Sequence, residues 1–245
     1  MLPCFLKGSD VMTSEQIRSV LEILVQFLLP TLKVFFFTLI FSIPLGMLVA
    51  LIKKCRFKPV AWIVNLYILI MRGTPLMLQI IAIYYAAPYL KLIEGLPDFL
   101  QKFADMIDIR DESYMFNALT VAFVLNYAAY FAEIFRGGIE AIPKGQYEAA
   151  EMLGFTKTQT FFRIILPQVL KRVVPASANE VITLIKDTSL ANVISYEEIT
   201  LKARQQMQLY SSLTPLFMAG AFYLIMTVIL TALFSFIEKK FDYYK

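Results

Sequence analysis

Histidine is absent from this chain of 245 residues. That excludes a His-ligated metal, a histidine proton relay and the HExxH arrangement of zinc peptidases. Cysteine is nearly absent too. Cys4 and Cys55 are the whole complement, which suggests no disulfide framework and gives no CxxC pair. None of the nine glycines lies in a GxxxxGK[ST] phosphate loop, and no acidic residue can be assigned to a matching magnesium-binding strand. The chain thus has no nucleotide site of its own. A GxSxG nucleophile turn is missing as well. Charged residues make up only 17%, with a net charge of +4 and no basic patch suited to nucleic acid.

Apolar surface is what the chain has in quantity. It is 58% hydrophobic with a mean hydropathy of +0.64, too apolar for a soluble domain of this length, and it reads as an all-α integral membrane protein. Residues 1–20 are mixed polar, lack the order of a cleaved signal, and read as an amphipathic lead-in. Val34 to Ile52 is uncharged over nineteen residues, enough to cross a core of about 30 Å as a helix. Lys53, Lys54, Arg56 and Lys58 follow it, and such a cluster reads as cytoplasmic, so the amino terminus is expected outside.

Val60 to Leu90 is apolar except for Arg72, and Gly73 with Pro75 predicts a break into a lead-in helix to Met71 and a crossing from Thr74. Residues 91–112 form an acidic soluble insert, expected outside. Ser113 to Ala132 is the third span, and residues 138–167 form a cytoplasmic loop. A fourth crossing from Val173 to Ile194 carries Glu180, Lys186 and Asp187, so hydropathy alone supports it weakly. Tyr196 to Ser212 is polar and expected outside, and Leu213 to Ile237 is the last span. The sum is about five spans in a single domain, 1–245, with the carboxyl terminus inside.

Within the cytoplasmic loop the sequence carries its own helix punctuation. Pro143 and Gly145 open a helix-forming run from Gln146 to Leu153, and Gly154 stops it where a left-handed cap would sit. Thr156 with Gln159 reads as a capping box for a second helix. Ala149 and Ala150 beside Glu148 would let the first helix lie close against another surface.

Two polar stripes cross the membrane segments. Asn126, Tyr130, Glu133 and Gly137 follow at helical spacing, as do Asn179, Thr183 and Asp187, with Lys186 alongside. Ionisable groups cost about 2.5–3.5 kcal/mol at the bilayer centre on insertion scales, so they tend to face a partner helix or a water-filled cavity. These residues suggest a path for a zwitterion. Lys186 or Arg72 would meet a carboxylate, and Glu133 or Asp187 an ammonium. The competing reading has Lys186 and Asp187 pairing with neighbours near the membrane edge.

Glu148-Ala149-Ala150, three residues, Gly154, nine residues, Ile164 and then Leu166-Pro167 resembles the EAA loop of ABC importer permeases. Arg72-Gly73-Thr74-Pro75-Leu76 matches a motif of their polar amino-acid subgroup, and the resemblance runs from about Ile70 to Phe241. It implies a type I importer permease in a prokaryotic cytoplasmic membrane. Two permease subunits, identical or paralogous, would form a path at their interface, with an extracytoplasmic binding protein delivering a polar amino acid. ATP and Mg²⁺ would reside on a partner ATPase dimer, leaving no cofactor in this chain and no enzymatic role. Glu148, Ala149, Ala150 and Gly154 would couple the chain to that ATPase. The alternatives are an ion-driven transporter or channel, for which the inverted repeats are not evident, and a structural membrane subunit without a path.

Overall fold

The computed structural model describes residues 12–53, 57–93, 95, 97–109, 111 and 113–241. Both cysteines lie outside the described residues, as do most of the lead-in, Lys54 and Arg56 of the basic cluster, and Glu94, Arg110 and Glu112 of the insert. The described elements are helical throughout. In chain order they are α1 (Ser14–Gln26), α2 (Leu28–Lys53), α3 (Lys58–Gly73), α4 (Leu76–Leu92), α5 (Asp98–Met106) and α6 (Ser113–Glu140). Then follow α7 (Lys144–Met152), α8 (Lys157–Thr160), α9 (Leu166–Asp187), α10 (Ile199–Tyr210) and α11 (Thr214–Phe241). Among the described residues, the α1–α2 run, α6 and α11 are long and apolar enough to cross a membrane, and α3 with α4, bent by 112°, makes a fourth such unit. At 22 residues α9 is about 33 Å long. Its charges hide it from hydropathy.

The core is built on α6. Phe123, Tyr127 and Phe131 are fully enclosed on it, and α2, α3, α4 and α9 all pack around it. Lipid provides little hydrophobic drive between helices, so close backbone approach must supply the packing. α2 meets that need with a small-residue face. Its buried side includes Thr31, Thr38, Ser42, Gly46 and Ala50, spaced by seven and then by four residues so that they share one side of the helix. At Gly46 the approach is tightest, since a Cβ there would lie 2.7 Å from Phe131 Cβ and 2.9 Å from the Ala128 carbonyl. Pro44 lies inside α2 without ending it.

The break at Gly73–Pro75 falls where the sequence places it. Backbone groups freed by such a break need partners within a membrane, and two amides provide them. Gln79 Nε2 donates to the Met71 carbonyl at 3.0 Å and to Thr74 Oγ1 at 2.8 Å. Asn126 Nδ2 on α6 donates to the same Met71 carbonyl at 2.9 Å and to Gln79 Oε1 at 3.0 Å.

Several boundaries differ from the sequence expectations. α6 runs to Glu140, so the loop expected from residue 138 begins inside a helix that, at 28 residues, is about 42 Å long and outruns the bilayer core. α9 starts at Leu166 rather than Val173, and Thr188–Ile194 is a 3₁₀ segment. The early start is possible because Phe161–Ile165 forms a π turn. Pro167 would clash with the Arg163 carbonyl in a regular helix, and the widened turn ahead of it relieves that contact. The insert contains α5, closed off by Lys91 Nζ donating to the Ile107 carbonyl at 2.7 Å. The polar stretch after Tyr196 holds α10, which buries Ile199 and Ala203 against a small second core with Val20 and Leu24 of α1.

Candidate functional site

Two regions bring the sequence-predicted residues together. The first is α7 and its flanks. Pro143 precedes α7 at the amino-terminal cap position, where its missing N–H costs nothing. At the other end the Gly154 N–H donates to the Glu151 carbonyl at 2.9 Å and Phe155 N–H to the Ala150 carbonyl at 3.0 Å. These two bonds make a Schellman motif. Gly154 sits at φ +77°, and a Cβ there would meet nothing within 4 Å. Its requirement is therefore conformational, not steric. The Thr156 box is formed, with Thr156 N–H donating to Gln159 Oε1 at 2.9 Å and Gln159 N–H to Thr156 Oγ1 at 3.3 Å.

Ala150 is buried against the loop, whereas Glu148 and Ala149 are exposed. The helix leads outward with two large apolar side chains, Met152 at 88% and Leu153 at 74% exposure. The local pattern around Gly154 gave no warning of this apolar tip. The segment is tied back to the membrane helices by two long-range bonds. Arg172 Nη1 of α9 donates to the Ala141 carbonyl at 2.7 Å, and Gln168 Nε2 donates to Gln146 Oε1 at 3.3 Å. Gly138 packs directly under α9, where a Cβ would strike Val173.

The second region lies beside the α3–α4 break. A surface depression there is lined by Asn65, Leu69, Arg72, Tyr130 and Glu133, among others. The Arg72 guanidinium stands 5.2 Å from the centre of the Tyr130 ring, a cation–π distance, and lies within electrostatic reach of Glu180 on α9. Glu180 makes no hydrogen bond or ion pair among the described residues. The stripe reading passed over it, although Glu180 stands three residues before Thr183 and seven before Asp187, a spacing that also shares a helix face.

The stripe residues themselves divide. Asn126 is buried and its amide protons are engaged at the helix break. Asp187 Oδ2 accepts from Tyr127 Oη at 2.7 Å, a partner the sequence could not show across 60 positions. Asn179, Thr183 and Lys186 are exposed along one side of α9, with Thr183 Oγ1 donating to the Asn179 carbonyl at 2.9 Å. Glu133 already carries two cations. Lys53 Nζ donates to its Oε1 at 2.5 Å and Arg136 Nη2 to its Oε2 at 2.6 Å. Arg136 also pairs with Glu140 at the end of α6.

Comparison with known proteins gives this geometry a lineage. The chain is 37% identical over 211 residues to the arginine transport system permease protein ArtQ of Bacillus subtilis, covering 86% of this chain and 88% of that one. It is 37% identical over 204 residues to the octopine transport system permease protein OccM of Rhizobium radiobacter, covering 81% of this chain and 79% of the relative. A solved structure described as an amino acid ABC transporter with histidines superposes with a TM-score of 0.76 at 31% identity, over 94% of this chain and all of the other. An inward-facing methionine ABC transporter, MetNI, shares the fold at 18% identity and a TM-score of 0.63. The fold is thus that of type I importer permeases. Residues 42–243 match the family described as binding-protein-dependent transport system inner membrane component, and to that family of membrane permeases this chain belongs.

Proposed function

We propose that the chain is the permease subunit of an ATP-driven importer of polar amino acids, working with a separate ATPase dimer, an extracytoplasmic binding protein and a second permease subunit. One observation carries the reading most directly. α7 is a short helix, opened by Pro143 and closed by the Gly154 cap, that leaves Met152 and Leu153 exposed on the protomer. An amphipathic helix of that kind fits a groove in a partner. Glu148 and Ala149 would seat it on the ATPase, with buried Ala150 packing the helix down and Gly154 holding its turn, and the ATPase would supply the nucleotide and Mg²⁺ that this chain has no loop to hold. The permeases of similar sequence are named for arginine and octopine, which supports an amino acid as cargo. In this reading the amino terminus is outside and the carboxyl terminus inside, with the exposed side of α9 facing the second subunit.

The decisive assay is labelled amino-acid uptake into proteoliposomes holding the chain with its co-purified ATPase and binding protein. Uptake that requires ATP is the expected result. Uptake that runs on an ion gradient without ATP would overturn the reading.

For the substrate, Arg72 would take the α-carboxylate, with Lys186 as a second cation on the exposed side of α9. Asp187 and Glu180 would take the ammonium. A hydrogen bond to a charged group is worth about 1.5–3 kcal/mol. Glu180→Gln and Asp187→Asn are therefore expected to raise the half-saturating substrate concentration roughly 10-fold to 100-fold. The complex with the ATPase should still assemble. Wild-type uptake in both variants would remove these two carboxylates from the path.

A further inference from the structure

The charged cluster centred on Glu133 is used by neither the coupling helix nor the substrate groups, and its placement is unusual. Lys53 is the last residue of α2, and Glu140 is the last residue of α6. Between them, Glu133 holds Lys53 at 2.5 Å and Arg136 at 2.6 Å, and Arg136 in turn holds Glu140. One residue further on, the Ala141 carbonyl accepts Arg172 of α9 at 2.7 Å. Three membrane helices are thus tied by charge or hydrogen bonds at the point where the chain leaves α6 for α7.

The Lys53–Glu133 pair is not an ordinary surface bridge. The side chains of Lys53 and Glu133 are 21% and 15% exposed, so solvent screens them far less than the fully open Arg18–Glu22 pair at 82% and 62%. The same Glu133 lines the depression beside Arg72 and Tyr130. One carboxylate therefore touches both the polar depression and the ionic chain that ends at the root of α7. Its two oxygens are taken by two different elements, α2 and the last turns of α6, so a shift of either changes what the carboxylate can hold.

We propose that Glu133 is a positioning residue of transport coupling, a carboxylate clasp that joins α2 to the cytoplasmic end of α6 so that occupancy of the depression and displacement of α7 are felt by each other. The proposal rests on the importer reading above. It deepens that reading by assigning the residue through which two regions communicate. It also separates Glu133 from the groups that touch substrate. A clasp changes how strongly two sites are linked, whereas a ligand changes how tightly one site binds.

The test uses the full complex in proteoliposomes, measuring ATP hydrolysis with and without substrate-loaded binding protein, for wild type, Glu133→Gln and Lys53→Gln. In Glu133→Gln the ratio of stimulated to unstimulated hydrolysis is expected to fall about fivefold or more, the lower bound of ordinary coupling factors. The substrate concentration for half-maximal stimulation should stay within about twofold. Lys53→Gln leaves Glu133 held by Arg136 and should lose part of the ratio while still assembling, so it reads the clasp if the first variant does not fold. An unchanged ratio in a variant that assembles overturns the clasp and leaves the importer reading intact. A shifted half-saturation with an intact ratio also overturns it, making Glu133 a substrate contact. A wild-type complex whose hydrolysis ignores substrate overturns the importer reading and the clasp together.

Discussion

Gly154→Val is expected to cut ATP-dependent uptake about tenfold or more while leaving the membrane core folded. Gly154 stands at φ +77°, where a β-branched residue is a steric outlier. Holding a side chain in such a region costs on the order of 1–3 kcal/mol. The chain can escape that cost by abandoning the turn, and both Schellman bonds, to the Glu151 and Ala150 carbonyls, then go with it. Met152 and Leu153 would no longer be presented in a fixed direction. Since 1.4 kcal/mol is a factor of ten, the loss of ATPase engagement should be about tenfold or greater. Nothing lies within 4 Å of the added Cβ, so the melting temperature of the permease core should not move. Gly145→Ala is the matched control. Gly145 lies in the first turn of α7 with open space around it, and alanine there favours the helix. Wild-type uptake in Gly154→Val would show that the cap is dispensable.

The second large effect is expected at Gly46, and here the core is at stake. A Cβ added at this position meets Phe131 Cβ at 2.7 Å and the Ala128 carbonyl at 2.9 Å. Neither is the far end of a flexible side chain, so α2 must move away from α6 as a body. Overpacking of a tight core costs about 1–3 kcal/mol for small additions, and Gly46→Ala should lower the melting temperature of the detergent-solubilised protein accordingly. Gly46→Leu adds three further carbons at the same point and is expected to prevent accumulation of a folded chain. Gly220→Ala on α11, where the added atom meets nothing, should be neutral or slightly stabilising. A Gly46→Ala protein that melts with the wild type would refute the close approach of α2 to α6.

What the sequence made legible was local. The Gly73–Pro75 break, the Gly154 cap and the Thr156–Gln159 box each depend on residues within a few positions of one another, and each forms as the pattern requires. The spans could be placed because apolar runs of bilayer length have few other readings. Boundaries slipped where a non-local element intervened. α6 outran its apolar stretch because Glu133, Arg136 and Glu140 pair along and beside the helix. α9 began early because of a π turn that no propensity announces. The partners of the stripe residues were out of reach for a related reason. Lys53 meets Glu133 across 80 positions and Tyr127 meets Asp187 across 60, and no periodicity encodes such pairings. Glu180 shows the reverse case. It was visible as a charge in a span, but only its proximity to Arg72 makes it part of a site.

The bend between α3 and α4 bears on how the protein fits its bilayer. Were residues 58–92 a straight helix, they would extend about 52 Å, some 20 Å beyond the hydrocarbon core. Turning by 112° disposes of that excess without tilt, bilayer thickening or exposed apolar turns. Hydrophobic mismatch is then felt chiefly by the unbent helices α2, α6 and α11. Because α2 and α6 are locked together at Gly46, a thicker or thinner membrane strains them as one piece. Lipid chain length should therefore act on this protein through that pair, with the bent segment adjusting as a slack element beside it.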